Sequence, residues 1–311
     1  MKEELSEKQK KEEQLKNGKL KGKDTVKGYL LLSFTILAFS TLEVVSAPMK
    51  GMINPLALTF LRFLIGGIFL LPFVLIKKEK VKYKDMVVFL LLGGLNVFVS
   101  MSCLQASVFF GKASTTAMLI SSNPIFVMLF SIFILKEKLT WKNATAMGFG
   151  MIGLALISSR FSSGGDSLAG VTFGIIASLT FGLYTVLSKL KSNSVSSLSM
   201  ITYSSLLGCL FYLPVFALKG INPIAIPHEY FTSLVYMGVV LSGMAYVTYI
   251  EALKILGASK GSVTFFLKPA IASILAVIFL SENLSKIAVA GSFVIIIGMT
   301  INFWPEKKRN N

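Results

Sequence analysis

The chain has 311 residues, 54% of them hydrophobic and only 15% charged, with a mean hydropathy of +0.72. A soluble domain carries about a quarter charged residues, so the deficit points to lipid as the solvent and excludes an ordinary soluble enzyme. The net charge of +16 would suggest nucleic acid in a soluble protein, but the basic residues lie mostly outside the apolar runs, so topology explains them and no nucleic-acid partner is expected.

Residues 1–27 form a Lys/Glu-rich segment without an apolar core or a small-residue cleavage site, which reads as a solvated cytoplasmic tail and not a signal peptide. Ten apolar stretches follow, at about 28–46, 55–76, 86–105, 111–134, 141–159, 169–188, 197–218, 230–252, 258–280 and 286–304. Each approaches the roughly 20 residues a spanning helix needs. Asn54-Pro55 offers an N-cap and a first-turn proline to the second span, and Thr140 and Ser285 are caps for the fifth and tenth. Residues 305–311 form a short basic tail. With a cytoplasmic N-terminus, the inner segments hold 24 Lys and Arg and the outer connections five. The bias survives removal of the first tail, at 15 against five. The positive-inside rule then puts both termini in the cytoplasm of a multi-pass protein of the cell membrane.

The chain also repeats itself. At an offset of 145 residues Ala113-Ser114 falls on Ala258-Ser259, Pro124 on Pro269, Glu137 on Glu282 and Gly153 on Gly298. At an offset of 142 Gly28 meets Gly170, Phe39 meets Phe181, and Gly66 meets Gly208. Residues 28–159 and 169–304 therefore form two halves of five spans each. An odd number turns the second half over in the membrane, so the expected fold is an all-α integral membrane protein of ten helices in two inverted-topology repeats.

Two segments carry a family resemblance. Asn123-Pro124 leads to Lys136-Glu137-Lys138-Leu139-Thr140, and Lys268-Pro269 leads to Ser281-Glu282-Asn283-Leu284-Ser285. A proline inside a span followed by Glu-x-Leu-Thr/Ser at the next turn resembles, twice over, the repeat signature of the EamA-type members of the drug/metabolite transporter superfamily. The resemblance covers about residues 28–304. It implies alternating access and a small organic solute, with amino-acid and metabolite exporters and vitamin importers among the family's members. Glu137 and Glu282 lie just before helix N-termini, where the macrodipole favours an anion, and read as structural.

Charge inside a bilayer is costly, so buried ionisable residues are the first site candidates. Lys268 lies ten residues into its span, about 15 Å along the axis and near the bilayer midplane. Pro269 beside it should disturb the helix and free backbone carbonyls. Pro124 marks the same break in the first half, next to Ser122 and Asn123. Lys268 suits a carboxylate or another electron-rich group, which favours an anionic or zwitterionic solute. Glu43 and Arg62 lie at similar depth on neighbouring spans and are expected to pair, as a structural ion pair or as an outer gate and proton-coupling group. Glu251 has Lys254 one turn on and reads as a solvated residue near the inner end of its span. Asn96, Ser100, Gln105, Tyr184, Tyr246, Tyr249, Thr264 and Phe265 could complete a cavity, although each alone is more often packing. Gly148 to Gly153 spells GxGxxG without a preceding strand, so it reads as helix packing and not as a dinucleotide site.

The two cysteines, Cys103 and Cys209, lack metal-ligand spacing, and His228 is the single histidine. No metal, cofactor or histidine-based catalysis is expected. The sequence contains no Walker motif, so ion coupling or facilitated diffusion would drive transport. Export of an amino acid or related metabolite is the favoured reading, uptake of a vitamin such as riboflavin the alternative, and a membrane-embedded enzyme or a channel the remote ones. One chain supplies both halves, so a monomer or a homodimer would serve.

Overall fold

The computed structural model describes residues 24–49, 51–79, 81–110, 119–158, 168–280 and 286–303. Among them there is no strand, and the chain runs through ten helical rods. These are α1 (Asp24–Ser46), α2 (Pro55–Ile76), α3 (Tyr83–Ser107), α4 (Leu119–Leu135), α5 (Trp141–Ser158), α6 (Leu168–Ser192), α7 (Ser197–Lys219), α8 (His228–Leu256), α9 (258–280) and α10 (Lys286–Phe303). Six of them, α1 to α3 and α6 to α8, are long and apolar enough to cross a bilayer. Large apolar side chains such as Phe133, Ile278, Phe279 and Phe293 stand exposed on the outside of the bundle, as lipid-facing residues do.

The sequence explains several helix ends. Asn54 caps α2 by accepting from the Leu56 N–H at 2.9 Å, with Pro55 in the first turn where a missing N–H costs nothing. Thr140 accepts from the Asn143 N–H at 3.2 Å at the start of α5. Asp85 accepts from the Lys82 N–H at 3.1 Å in the first turn of α3 and forms an ion pair with Lys191, at the end of α6, at 2.5 Å. Ser285 and Glu282 lie outside the described residues.

Glu137 behaves differently from expectation. It does not serve the helix that follows it. Its carboxylate accepts from the backbone N–H of Ala258 (2.8 Å), the N–H of Ser259 (2.9 Å) and the Ser259 hydroxyl (2.7 Å), at the first turn of α9. Two orphan backbone donors and one hydroxyl of that helix are thus satisfied by a residue 121 and 122 positions away.

Packing between rods depends on close backbone approach, because lipid supplies no hydrophobic drive between helices. A methyl at Gly93 of α3 would lie 2.1 Å from the Ser204 carbonyl of α7, and one at Gly208 of α7 would lie 2.7 Å from the Gly93 carbonyl. In the other pair, a methyl at Gly66 of α2 would lie 2.7 Å from the Gly238 carbonyl of α8. The rods α5 and α10 pack on each other in the same way, with Gly153 against Gly291. The GxGxxG stretch is accordingly a packing face: Gly153 meets α10, Gly150 meets Phe266 of α9, and Gly148 meets nothing.

Four rods are irregular where they face the interior. α3 winds as a π-helix over Gly94–Ser100, and α8 does so over Met237–Met244. Such widened turns recur at functional sites. α4 breaks at Ser122, just before the turn that holds Pro124. α9 tightens to a 3-10 turn at Thr264–Phe266. The disturbance expected at Lys268 therefore falls two to four residues earlier, and Lys268 itself sits in the helix Leu267–Leu280. The physical reason is that a proline clashes with the carbonyl four residues before it, here Phe265, and not with its immediate neighbour alone.

Candidate functional site

The irregular stretches of α4, α8 and α9 meet α1, α2, α3 and α6 around a central cavity. Its apolar wall is largely aromatic. Phe39, Phe181, Tyr246 and Phe265 form a ring of neighbours, with centroids 5.2 Å apart for Phe39–Tyr246, 5.8 Å for Phe39–Phe265, 6.0 Å for Phe181–Phe265 and 6.4 Å for Phe181–Tyr246. Leu42, Met101, Leu104, Ile120 and Leu241 complete it.

Five polar side chains reach the same space: Arg62, Ser121, Asn123, Ser242 and Lys268. Arg62 is 3% exposed, lies 4.9 Å over the Phe63 ring, and directs one guanidinium nitrogen at the Met101 sulfur, 3.0 Å away. Lys268 is 9% exposed, and its backbone carbonyl accepts from the Ser40 hydroxyl at 3.4 Å. Two cationic side chains therefore line one buried cavity. Asn123 is fully buried, and neither its amide oxygen nor its amide nitrogen has a hydrogen-bond partner among the described residues. The hydroxyl of Ser242, 1% exposed, has none either.

The residues singled out in the sequence divide into those that line the cavity and those that do not. Lys268, Asn123, Tyr246 and Arg62 line it, with Phe265 beside them. Ser122 turns away, donating to the Leu119 carbonyl at 2.5 Å and meeting the Ser178 hydroxyl at 3.3 Å. Thr264 donates back to the Gly261 carbonyl at 2.5 Å, and Ser100 bonds the Ala177 carbonyl at 3.1 Å. Asn96 is buried in the π-wound stretch of α3, and Gln105 is half-buried; neither borders the cavity. Glu251 pairs with Lys254 at 3.0 Å at the far end of α8. Pro124 follows the break of α4 at Ser122, whereas Pro269 lies inside the helix Leu267–Leu280, after the tightened turn Thr264–Phe266 of α9. The Glu43 side chain lies outside the described residues, so its pairing with Arg62 remains a sequence-based expectation. Among the described residues no cluster of His, Cys, Asp or Glu could hold a metal.

Sequence reading does not single out Ser242 or Met101, and of the adjacent Ser121 and Ser122 it favours Ser122, whereas the break in α4 places Ser121 on the cavity. Ser242 sits in an apolar run, where the π-winding shifts the facing residues off the ordinary 3.6 period.

The EamA-like transporter family matches this chain over residues 26–159 and 168–304. An uncharacterized transporter of Clostridium kluyveri is 33% identical over 298 residues, which are 92% of this chain and 96% of that protein. An S-adenosylmethionine uptake transporter of Rickettsia prowazekii is 24% identical over 293 residues, 92% of this chain and 96% of its own length. A solved crystal structure shares the fold with a TM-score of 0.78 at 18% identity, covering 90% of this chain and 98% of its own.

Proposed function

This chain belongs to the EamA-like transporter family, and from that premise we propose that it moves an amino acid or an amino-acid-bearing metabolite across the cytoplasmic membrane by alternating access. That it is a multi-pass membrane transporter of a small solute follows from the family; the solute, the direction and the ten-span topology are the proposal.

The carrying observation is the central cavity, where Lys268 and Arg62 stand beside a ring of four aromatic side chains. Cationic side chains suit the carboxylate of a zwitterion, and the aromatic wall suits its apolar or planar remainder. Lys268 and Asn123 would be the substrate-binding residues, Tyr246 a wall residue, and Glu43 with Arg62 the coupling pair. The similarity to S-adenosylmethionine uptake transporters favours a second reading within the same chemistry. That solute carries an amino-acid head group and an adenine plane that could lie against the aromatic ring. Direction then depends on gradients, with export the first choice. The aromatic ring alone would also admit a flavin plane, but the two basic side chains favour a solute with a carboxylate, which riboflavin lacks.

The inverted repeat, with halves 28–159 and 169–304, is supported by contacts made twice. Gly66 approaches Gly238, and Gly208 approaches Gly93. Thr35 donates to the Ala245 carbonyl at 3.3 Å, and Ser100 donates to the Ala177 carbonyl at 3.1 Å. At offsets of 142 and 145 residues each contact maps onto the other with the halves exchanged. Cytoplasmic termini are supported by the Lys/Arg bias. One chain holding both halves needs no second copy, so a monomer is the working unit, with a homodimer as the alternative.

The test is thermal stability of the purified protein in detergent with L-methionine, S-adenosylmethionine and riboflavin, for wild type and Lys268→Ala. A bound solute raises the midpoint by an amount set by its concentration over its dissociation constant. A shift with the two amino-acid compounds that disappears in Lys268→Ala is expected. A shift with riboflavin alone would replace the solute class.

A further inference from the structure

Asn123 and Ser242 present an imbalance that packing does not account for. A buried polar group without a partner loses its hydration and gains nothing in return, and native interiors contain few of them. Here two such groups border one cavity. Asn123 is fully buried with both amide atoms open, and Ser242 is nearly so with its hydroxyl open. They come from different halves of the chain. Each stands at an irregular point of its rod: Asn123 at the break of α4, Ser242 within the π-wound stretch of α8. A leucine and an alanine would fill the same places without an open hydrogen bond.

We propose that Asn123 and Ser242 form a neutral hydrogen-bonding subsite that reads the amino-acid head group of the solute. The inference rests on the amino-acid reading above and deepens it. An amide side chain offers one acceptor and two donors, and a serine hydroxyl offers both functions. Together they match an ammonium beside a carboxylate, accepting from the first and donating to the second. Lys268, at the position in the second half equivalent to Asn123 in the first, supplies charge; the neutral pair supplies selection. A site built to hydrogen-bond a substrate group discriminates strongly against analogues that lack it, because its own polar atoms are then left unpaired.

The experiment uses the full chain in detergent, as wild type, Ser242→Ala and Asn123→Leu. Midpoints are measured without solute, and affinities are measured for S-adenosylmethionine and for 5′-methylthioadenosine, which lacks the head group. In both variants the solute-free midpoint should equal or exceed that of wild type, because an open polar group has been removed. Affinity for S-adenosylmethionine should fall tenfold or more, while that for methylthioadenosine should change less than twofold. A solute-free midpoint that drops by several degrees in both variants would overturn the proposal, since it would mean that the two groups are satisfied inside the protein, by buried water for example. An unchanged affinity for S-adenosylmethionine in both would overturn it as well. If Asn123→Leu does not fold, Ser242→Ala decides alone. If wild type binds neither compound, the amino-acid reading fails, and the solute-free midpoints still decide whether the two groups are held open for a solute.

Discussion

Four places in the cavity wall take one side chain from each half at equivalent positions: Phe39 and Phe181, Met101 and Tyr246, Ile120 and Phe265, Asn123 and Lys268. The first pair is identical. In the other three the second half contributes the aromatic or the charged residue. The helix contacts that support the wall are, in contrast, alike in both halves, with glycine against glycine between α2 and α8 and between α7 and α3. The difference separates two kinds of constraint. Close backbone approach admits one answer, so both halves keep it. The wall needs only to be buried and shaped, so its chemistry is free to diverge, and on the proposed reading that divergence would give a repeated scaffold an asymmetric solute site.

The largest expected effects fall at the glycines. Gly93→Ala places a methyl 2.1 Å from a backbone oxygen and should cost more than the usual 1–3 kcal/mol of overpacking, read as loss of monodisperse protein in detergent. Gly208→Ala, its partner in the contact, should fail similarly. Gly148→Ala, which meets nothing within 4 Å, should be neutral or stabilising, by up to about 1 kcal/mol.

Glu137→Ala removes the acceptor of three hydrogen bonds on α9. A loss of about 2–3 kcal/mol is expected, as for bonds to a charged group, visible as a lower thermal midpoint with solute affinity changed much less than in Lys268→Ala.

The charge exchange Asn123→Lys with Lys268→Asn sharpens the comparison. If the two positions are equivalent in the scaffold, the double variant should fold with a midpoint within about 1 kcal/mol of wild type, by near-additive compensation, while transport falls at least tenfold because the cation faces the wrong wall. The smallest effect belongs to Lys191→Met, which breaks an ion pair at the C-terminal end of α6; such partly exposed pairs contribute little to stability, and binding should be unchanged.

The scaffold was readable from the sequence where chemistry leaves a mark on composition. Apolar runs gave the rods, Asn54-Pro55 gave a helix start, and Pro124 marked the break of α4, while Pro269 announced the tightened turn just before it in α9. Lys268 and Arg62 stood out because charge is rare in lipid. What escaped depends on contacts between distant parts of the chain. The partner of Glu137 lies 121 and 122 residues away, so its own neighbourhood pointed to the wrong helix. Ser242 carries no charge and sits among apolar residues, and only the π-winding of α8 turns it into the cavity. Asn96, Gln105 and Thr264 looked equally polar on paper, and the register of each rod keeps them off the wall.

On the proposed reading the solute binds in the one cavity to which residues from both parts of the chain contribute. Uptake of radiolabelled S-adenosylmethionine into proteoliposomes, with unlabelled L-methionine as competitor, tests it most directly in wild type, Lys268→Ala and Asn123→Leu. Saturable uptake that L-methionine suppresses, reduced at least tenfold by a change in either half, is the predicted result. Saturable uptake that neither substitution alters would place the solute elsewhere and contradict the account.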